Sequence, residues 1–119
     1  MAVRSRRVYD DVEPADGQRV LVERLWPRGV KKDDPRVGIW LKDVAPSHEL
    51  RKSFHADGDY QRFVEEYRTE LRENRDAFDE LRRIVRENKT VTLVYSAKDT
   101  EHNSATVLMD LLKHPNRNS

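Results

Sequence analysis

The sequence predicts an α/β fold: a small single domain with a short, mostly parallel three-stranded sheet flanked by helices. Two runs, Gln18–Leu25 and Thr90–Tyr95, have strand composition, and about thirty residues of helical periodicity lie near the second. Strands joined through helices tend to run parallel, and a right-handed crossover brings their carboxyl ends to one edge. The Val20-Leu-Val22 centre is apolar at consecutive positions. That pattern suits a strand covered on both faces, as in a sheet with helices on both sides.

Each element has a local reason. Arg6–Asp10 is the candidate first strand. Val12–Gly17 is turn chemistry, with Pro14 and Asp16-Gly17 favouring chain reversal. Residues 27–46 hold Pro27, Pro35, Pro46, Gly29 and Gly38 and read as a long irregular loop with a helical turn around Ile39–Lys42. Ser47 is placed to cap a short helix over His48–Phe54, and Asp59 to cap the next. Over residues 60–88, Phe63, Tyr67 and Leu71 recur every fourth position, and Phe78, Leu81, Ile84 and Val85 continue the stripe. Asn74 leaves open whether this is one helix or two. Arg62 with Glu66, Arg72 with Asp76 and Asp79 with Arg83 have the spacing of exposed ion pairs. Thr90–Tyr95 is the third strand, rich in β-branched residues. A last helix runs from Asn103 to Lys113 with Ala105, Leu108, Leu111 and Leu112 inward, and 114–119 reads as a disordered tail.

Composition narrows the function. The chain has 119 residues, suited to one domain, with no internal repeat. Charged residues make up 38% against a usual value of about 25%, yet the net charge is only +1. Whole-molecule attraction to nucleic acid or anionic membrane is therefore not expected. Without cysteine, the chain has no disulfide, thiolate metal site or cysteine nucleophile. His48, His55, His102 and His114 lack metal-ligand spacing. No signal peptide or membrane span is evident, so a cytoplasmic protein is expected.

Ligands of open α/β sheets bind beyond the carboxyl ends of the strands. There the Arg24-Leu-Trp-Pro-Arg-Gly29 segment would meet the Ser96–Asn103 loop. Arg24 and Arg28 can donate in pairs to phosphate or carboxylate. Equally, they can form structural salt bridges, for instance to Asp99. Trp26 and Trp40 could wall a pocket or fill the core. Tyr95 and Ser96 place hydroxyls at a strand end, and Lys98 and Asn103 could orient a ligand. Asp99 is the general-base candidate, and Thr100 or Asn103 could cap the final helix. The expected partner is a small anion, phosphate- or nucleotide-like. The alternative is nucleic acid along the basic segment 19–36, with Lys31, Lys32 and Arg36 touching phosphates. Arg4, Arg6 and Arg7 read as a solvated basic arm. The sequence names no cofactor and leaves enzymatic activity and oligomeric state open.

Arg24–Gly29, Ala45-Pro-Ser47, Tyr67-Arg-Thr-Glu-Leu71 and Thr92-Leu-Val-Tyr-Ser-Ala-Lys-Asp99, with Asn103 and Ala105, together resemble the YeaO-like branch of the domain-of-unknown-function family 488. The resemblance covers roughly Arg7 to Leu112. It implies a small α/β protein, widespread in bacteria, with no established activity. Labels such as methyltransferase or transcriptional regulator attach to some members, but this chain has neither a Gly-rich cofactor loop nor a helix-turn-helix. Other branches carry a cysteine after the last strand, somewhat like a rhodanese. Here Ser96-Ala-Lys-Asp99 stands in that place, which removes any thiol chemistry.

Overall fold

A computed structural model describes residues 2–114. The tail expected over 114–119 lies outside the described residues apart from His114. The strands are β1 (Ala2–Arg7), β2 (Gln18–Leu21), β3 (Ile39–Trp40) and β4 (Thr90–Tyr95). They form one four-stranded parallel sheet in the order β1-β4-β2-β3. The α/β class and the parallel pairing of β2 with β4 are as expected, but the sheet has four strands rather than three. β3 replaces the helical turn expected around Ile39, and a 3₁₀ turn follows at Lys42–Val44.

The first strand also lies earlier than its apolar content suggests. β1 reads AVRSRR, and its alternation is hidden by charge. Val3 joins the main core, whereas Arg4 and Arg6 both reach Asp16, at 3.8 and 3.1 Å. Arg7 donates to the carbonyls of Ser96 and Ala97. The three arginines are thus parts of a paired strand, not a solvated arm. An edge strand can remain this polar because its neighbours neutralise it.

Four α-helices follow: α1 (His48–Asp57), α2 (Tyr60–Glu73), α3 (Arg75–Glu87) and α4 (Ser104–Lys113). Ser47 Oγ caps α1 by accepting from the Leu50 N–H, and Asp59 caps α2 through the Arg62 N–H. The helical stretch breaks at Asn74, so residues 60–88 form two helices. The break separates Arg72 from Asp76, and Arg72 donates instead to Thr69. Arg62 does pair with Glu66 at 3.6 Å. Arg83 pairs with Glu80 and Glu87, leaving Asp79 to Arg82.

The two faces of the sheet are covered differently. Val20, Val22, Val91, Leu93 and Tyr95 share one core cluster with the buried residues of every α-helix. Leu21 and Val94, on the alternate face, pack with Val8, Val30 and Val37 and with the partly buried Tyr9 and Trp26. Both faces are apolar, as the consecutive Val20-Leu-Val22 run predicts, but loops rather than helices cover the second. Each fully buried valine or leucine there contributes roughly 1.5–3 kcal/mol, enough to hold loops that carry no regular hydrogen-bond ladder.

One buried ion pair organises this loop layer. Asp16 is fully buried and Arg19 is 3% exposed, with Nη1 to Oδ2 at 2.9 Å. Arg19 also donates to the carbonyls of Val8 (3.4 Å), Asp10 (3.1 Å) and Arg36 (2.7 Å). A single guanidinium therefore ties the segment after β1 and the segment before β3 to β2. Gly38 makes the same closeness visible: at φ +68 its backbone lies so near β2 that a Cβ would sit 2.2 Å from the Arg19 carbonyl oxygen.

Burial works against ionisation of Asp16, but the Glu13 N–H and the guanidinium groups of Arg19 and Arg6 hold its pKa below the usual carboxylate value. A depressed folded-state pKa adds stability that is present above the unfolded pKa and lost as pH falls through the folded one. Urea unfolding at pH 7 should show Asp16→Asn destabilised by about 3–5 kcal/mol, as for removal of one partner from a buried pair. The gap to wild type should narrow below about pH 4. Gly38→Ala should unfold at clearly lower urea than Gly29→Ala. At Gly29 no atom lies within 4 Å of a new Cβ, leaving only backbone strain of about 1–2 kcal/mol.

Candidate functional site

A cleft of about 630 Å³ opens where the chain leaves β2 and β4. Its base comes from the strand ends: Glu23 after β2, then Ser96 and Ala97 after β4. One side is the start of α4, with Asn103 and Ser104, and the other is α1. Leu25, Pro46, Phe54 and Phe63 supply apolar wall.

The position of α1 follows from its attachments. Leu50 is buried in the main core, and the Phe54 ring stacks on Phe63 at 4.6 Å. Glu70 of α2 accepts from the Ser47 N–H at 2.8 Å and from its hydroxyl. Tyr67, fully buried, donates its hydroxyl to the Val44 carbonyl. With Leu50 and Phe54 inward, the residues turned to the cleft are His48, Arg51, Lys52 and His55. Their spacing of i, i+3, i+4 and i+7 makes one continuous helix stripe. The Arg51 and Lys52 side chains bond to no other described residue.

Across the cleft, Asn103 caps α4. Its Oδ1 accepts from the Thr106 N–H at 3.0 Å and its Nδ2 donates to the Asp99 carbonyl at 2.9 Å. Ser104 begins the helix, is 8% exposed and makes no side-chain bond to a described residue. The free N–H groups and positive end of α4 therefore border the same space as the α1 stripe. His102 also lines the cleft, with Nδ1 3.2 Å from Asp99 Oδ2 and its ring centroid 4.5 Å from that of Tyr60.

Glu23 is the most unusual group. It is 8% exposed, and Oε1 accepts from the Ser96 N–H at 2.8 Å and the Ser96 hydroxyl at 3.1 Å. Among the described residues no cation pairs with it and none donates to Oε2. Its own backbone carbonyl accepts from Trp40 Nε1 at 2.7 Å.

Of the residues expected from sequence, Ser96 and Asn103 line this cleft. The others do not line it. Arg24 donates to the carbonyls of Ala45 (2.8 Å) and Pro46 (3.1 Å), fixing the approach to α1. Trp26 donates to the Val30 carbonyl and meets Trp40 edge-on, with centroids 5.3 Å apart. Arg28 is exposed, and its backbone carbonyl accepts from Tyr9. Tyr95 is buried in the main core, and burial raises its pKa above the usual phenol value. Lys98 and Asp99 are exposed. Asp99 accepts from the N–H groups of Glu101 and His102, which lower its pKa. Neither Arg24 nor Arg28 forms a salt bridge to Asp99 among the described residues.

Along 19–36, Arg19 is engaged by Asp16 and Arg36 by Asp34, leaving Arg28, Lys31 and Lys32 as the exposed cations of that segment. The α1 stripe and Glu23 were not singled out by sequence reasoning. A signal existed for both. The basic residues follow helical spacing beside the apolar pair Leu50 and Phe54, and Glu23 is a carboxylate directly after an apolar strand.

Among the described residues, no helix is long and apolar enough to cross a membrane. The chain is 46% identical over 114 residues to the uncharacterised protein YeaO of Escherichia coli K12, covering 95% of this chain and 98% of that one. It is 47% identical over 111 residues to the uncharacterised protein Rv3073c of Mycobacterium tuberculosis H37Rv, covering 92% of each. No solved structure matches it. The model of the family described as the inactive DUF488-N3 subclade matches residues 2–118. The chain therefore belongs to the DUF488 family, in its inactive N3 subclade.

Proposed function

We propose that the protein is a non-catalytic binding module for a small anionic ligand, phosphate- or nucleotide-like, held in the cleft between α1 and the start of α4. The observation that carries this reading is the stripe His48, Arg51, Lys52 and His55. Four basic residues face one concave space, and the Arg51 and Lys52 side chains have no partner among the described residues. Guanidinium and ammonium groups recognise phosphate and carboxylate by charge and donated hydrogen bonds. The positive end of α4 favours the same sign of ligand. The apolar wall of Leu25, Phe54 and Phe63 suits an organic anion better than a bare inorganic one.

Binding without catalysis is supported by the description of the subclade as inactive. It also fits the state of Asp99, whose hydrogen bonds stabilise the ionised form and weaken it as a base. Arg24, Trp26 and Trp40 take a supporting role in this reading, holding the loops from which Glu23 and α1 project.

A thermal-shift screen of anionic metabolites and nucleotides tests it. A ligand at a hundred times its Kd stabilises the folded state by about 2.7 kcal/mol. Such a ligand should raise the wild-type midpoint, fail to do so for Arg51→Ala/Lys52→Ala, and still do so for Arg28→Ala. Arg24→Ala should lower stability by about 1–3 kcal/mol, because two carbonyls lose their donors, while keeping a ligand response. A response lost in Arg28→Ala but kept in the α1 double variant would overturn the assignment.

A further inference from the structure

Resting on that reading, we infer that the ligand joins its anionic group to a hydrogen-bond donor, an N–H or O–H group, and that Glu23 Oε2 accepts from it. The argument begins with the environment of Glu23. Glu23 is 8% exposed and has no cationic partner among the described residues, and its unpaired Oε2 keeps contact with solvent, which a ligand in the cleft would displace. Ser96 satisfies Oε1 twice, through its N–H and its hydroxyl, and so fixes which way the carboxylate points. Oε2 accepts from no described residue, and Glu23 lines the cleft.

The rest of the cleft is unsuited to that oxygen unless a donor arrives with the ligand. An ionised carboxylate only accepts hydrogen bonds, and it repels a second anion. A purely anionic ligand would gain from Arg51 and Lys52 but leave Oε2 unpaired as water is displaced. A ligand with a donor satisfies both ends. Nucleobase amides, amino groups and sugar hydroxyls all supply one, so their shared chemistry is what the site selects. A buried acceptor left unpaired by the wrong ligand discriminates more strongly than an apolar contact does.

Glu23→Gln inverts this preference with little effect on the fold. The Ser96 N–H still requires an acceptor, so the amide oxygen should take the Oε1 position and turn the NH₂ group to the cleft. An acceptor becomes a donor with nearly the same shape. Calorimetric titrations should use sulfate, which carries no donor, and ribose 5-phosphate, phosphoethanolamine and guanosine monophosphate against wild type, Glu23→Gln and Arg51→Ala/Lys52→Ala. At least one donor-bearing probe should bind wild type more tightly than sulfate. Glu23→Gln should weaken that probe tenfold or more and leave sulfate unchanged or improved, with a thermal midpoint near that of wild type. Which probe shows the effect separates hydroxyl, ammonium and nucleobase donors. Donor-bearing probes that bind Glu23→Gln as they bind wild type, but not the α1 double variant, would overturn this inference and leave the anion pocket standing. Failure of every probe to bind wild type would overturn both.

Discussion

Asp16 and Arg19 are three residues apart, on either side of the turn that starts β2, and both are out of solvent. Their ion pair is stabilised beyond simple charge attraction, because Arg19 also donates to backbone carbonyls in two other segments and Asp16 accepts from Arg6 and the Glu13 N–H. Thr92 of β4 donates to the Asp16 carbonyl at 2.7 Å, tying the same turn to the strand beside β2. Loops cannot cover a sheet face as helices do, since their peptide groups lack a regular set of partners. Here a guanidinium with five donors supplies those partners at one point. Valines and Leu21 fill the remaining space.

The consequence is a two-sided division of labour. All four α-helices pack on one face, and α1 and the start of α4 lie at the strand tips with a cleft between them. Arginines fix the loops around the cleft. Arg7 reaches over from β1 to hold the carbonyls of Ser96 and Ala97, and Arg24 holds those of Ala45 and Pro46. Arginines that could have met a ligand are instead used to place the groups that line the cleft. The RLWPRG segment belongs to this bracing: Trp26 closes onto Val30, and Trp40 reaches the Glu23 carbonyl. Glu23, immediately before it, faces the cleft, and Leu25 adds to the apolar wall.

Local chemistry was legible in the sequence wherever one residue type has one dominant use. Ser47, Asp59 and Asn103 are caps at their expected places, and Thr90–Tyr95 is a strand. The location of the cleft at the strand ends was legible too, because parallel pairing follows from chain order. Less visible was anything decided by pairing at a distance. β1 looks too polar for a strand until Asp16 is placed beside Arg4 and Arg6. β3 has only two residues and owes its existence to Gly38 lying against β2. The roles of Arg24 and Arg28 could not be separated by residue type, since an arginine serves a carbonyl as readily as a phosphate. The α1 stripe was hidden for the opposite reason: basic residues on a helix usually mark a solvated face, and only the packing of Leu50 and Phe54 turns this face toward a concavity.

The proposed function lies in the space between α1 and α4, with RLWPRG read as architecture. The measurement that separates these most directly is an amide chemical-shift titration of the labelled protein with a ligand found to stabilise it. The account predicts that the largest shifts fall on Ser96, Ser104, Ala105 and residues 48–55, with small changes across residues 26–36. Largest shifts across residues 26–36, with α1 and the start of α4 unmoved, would contradict it.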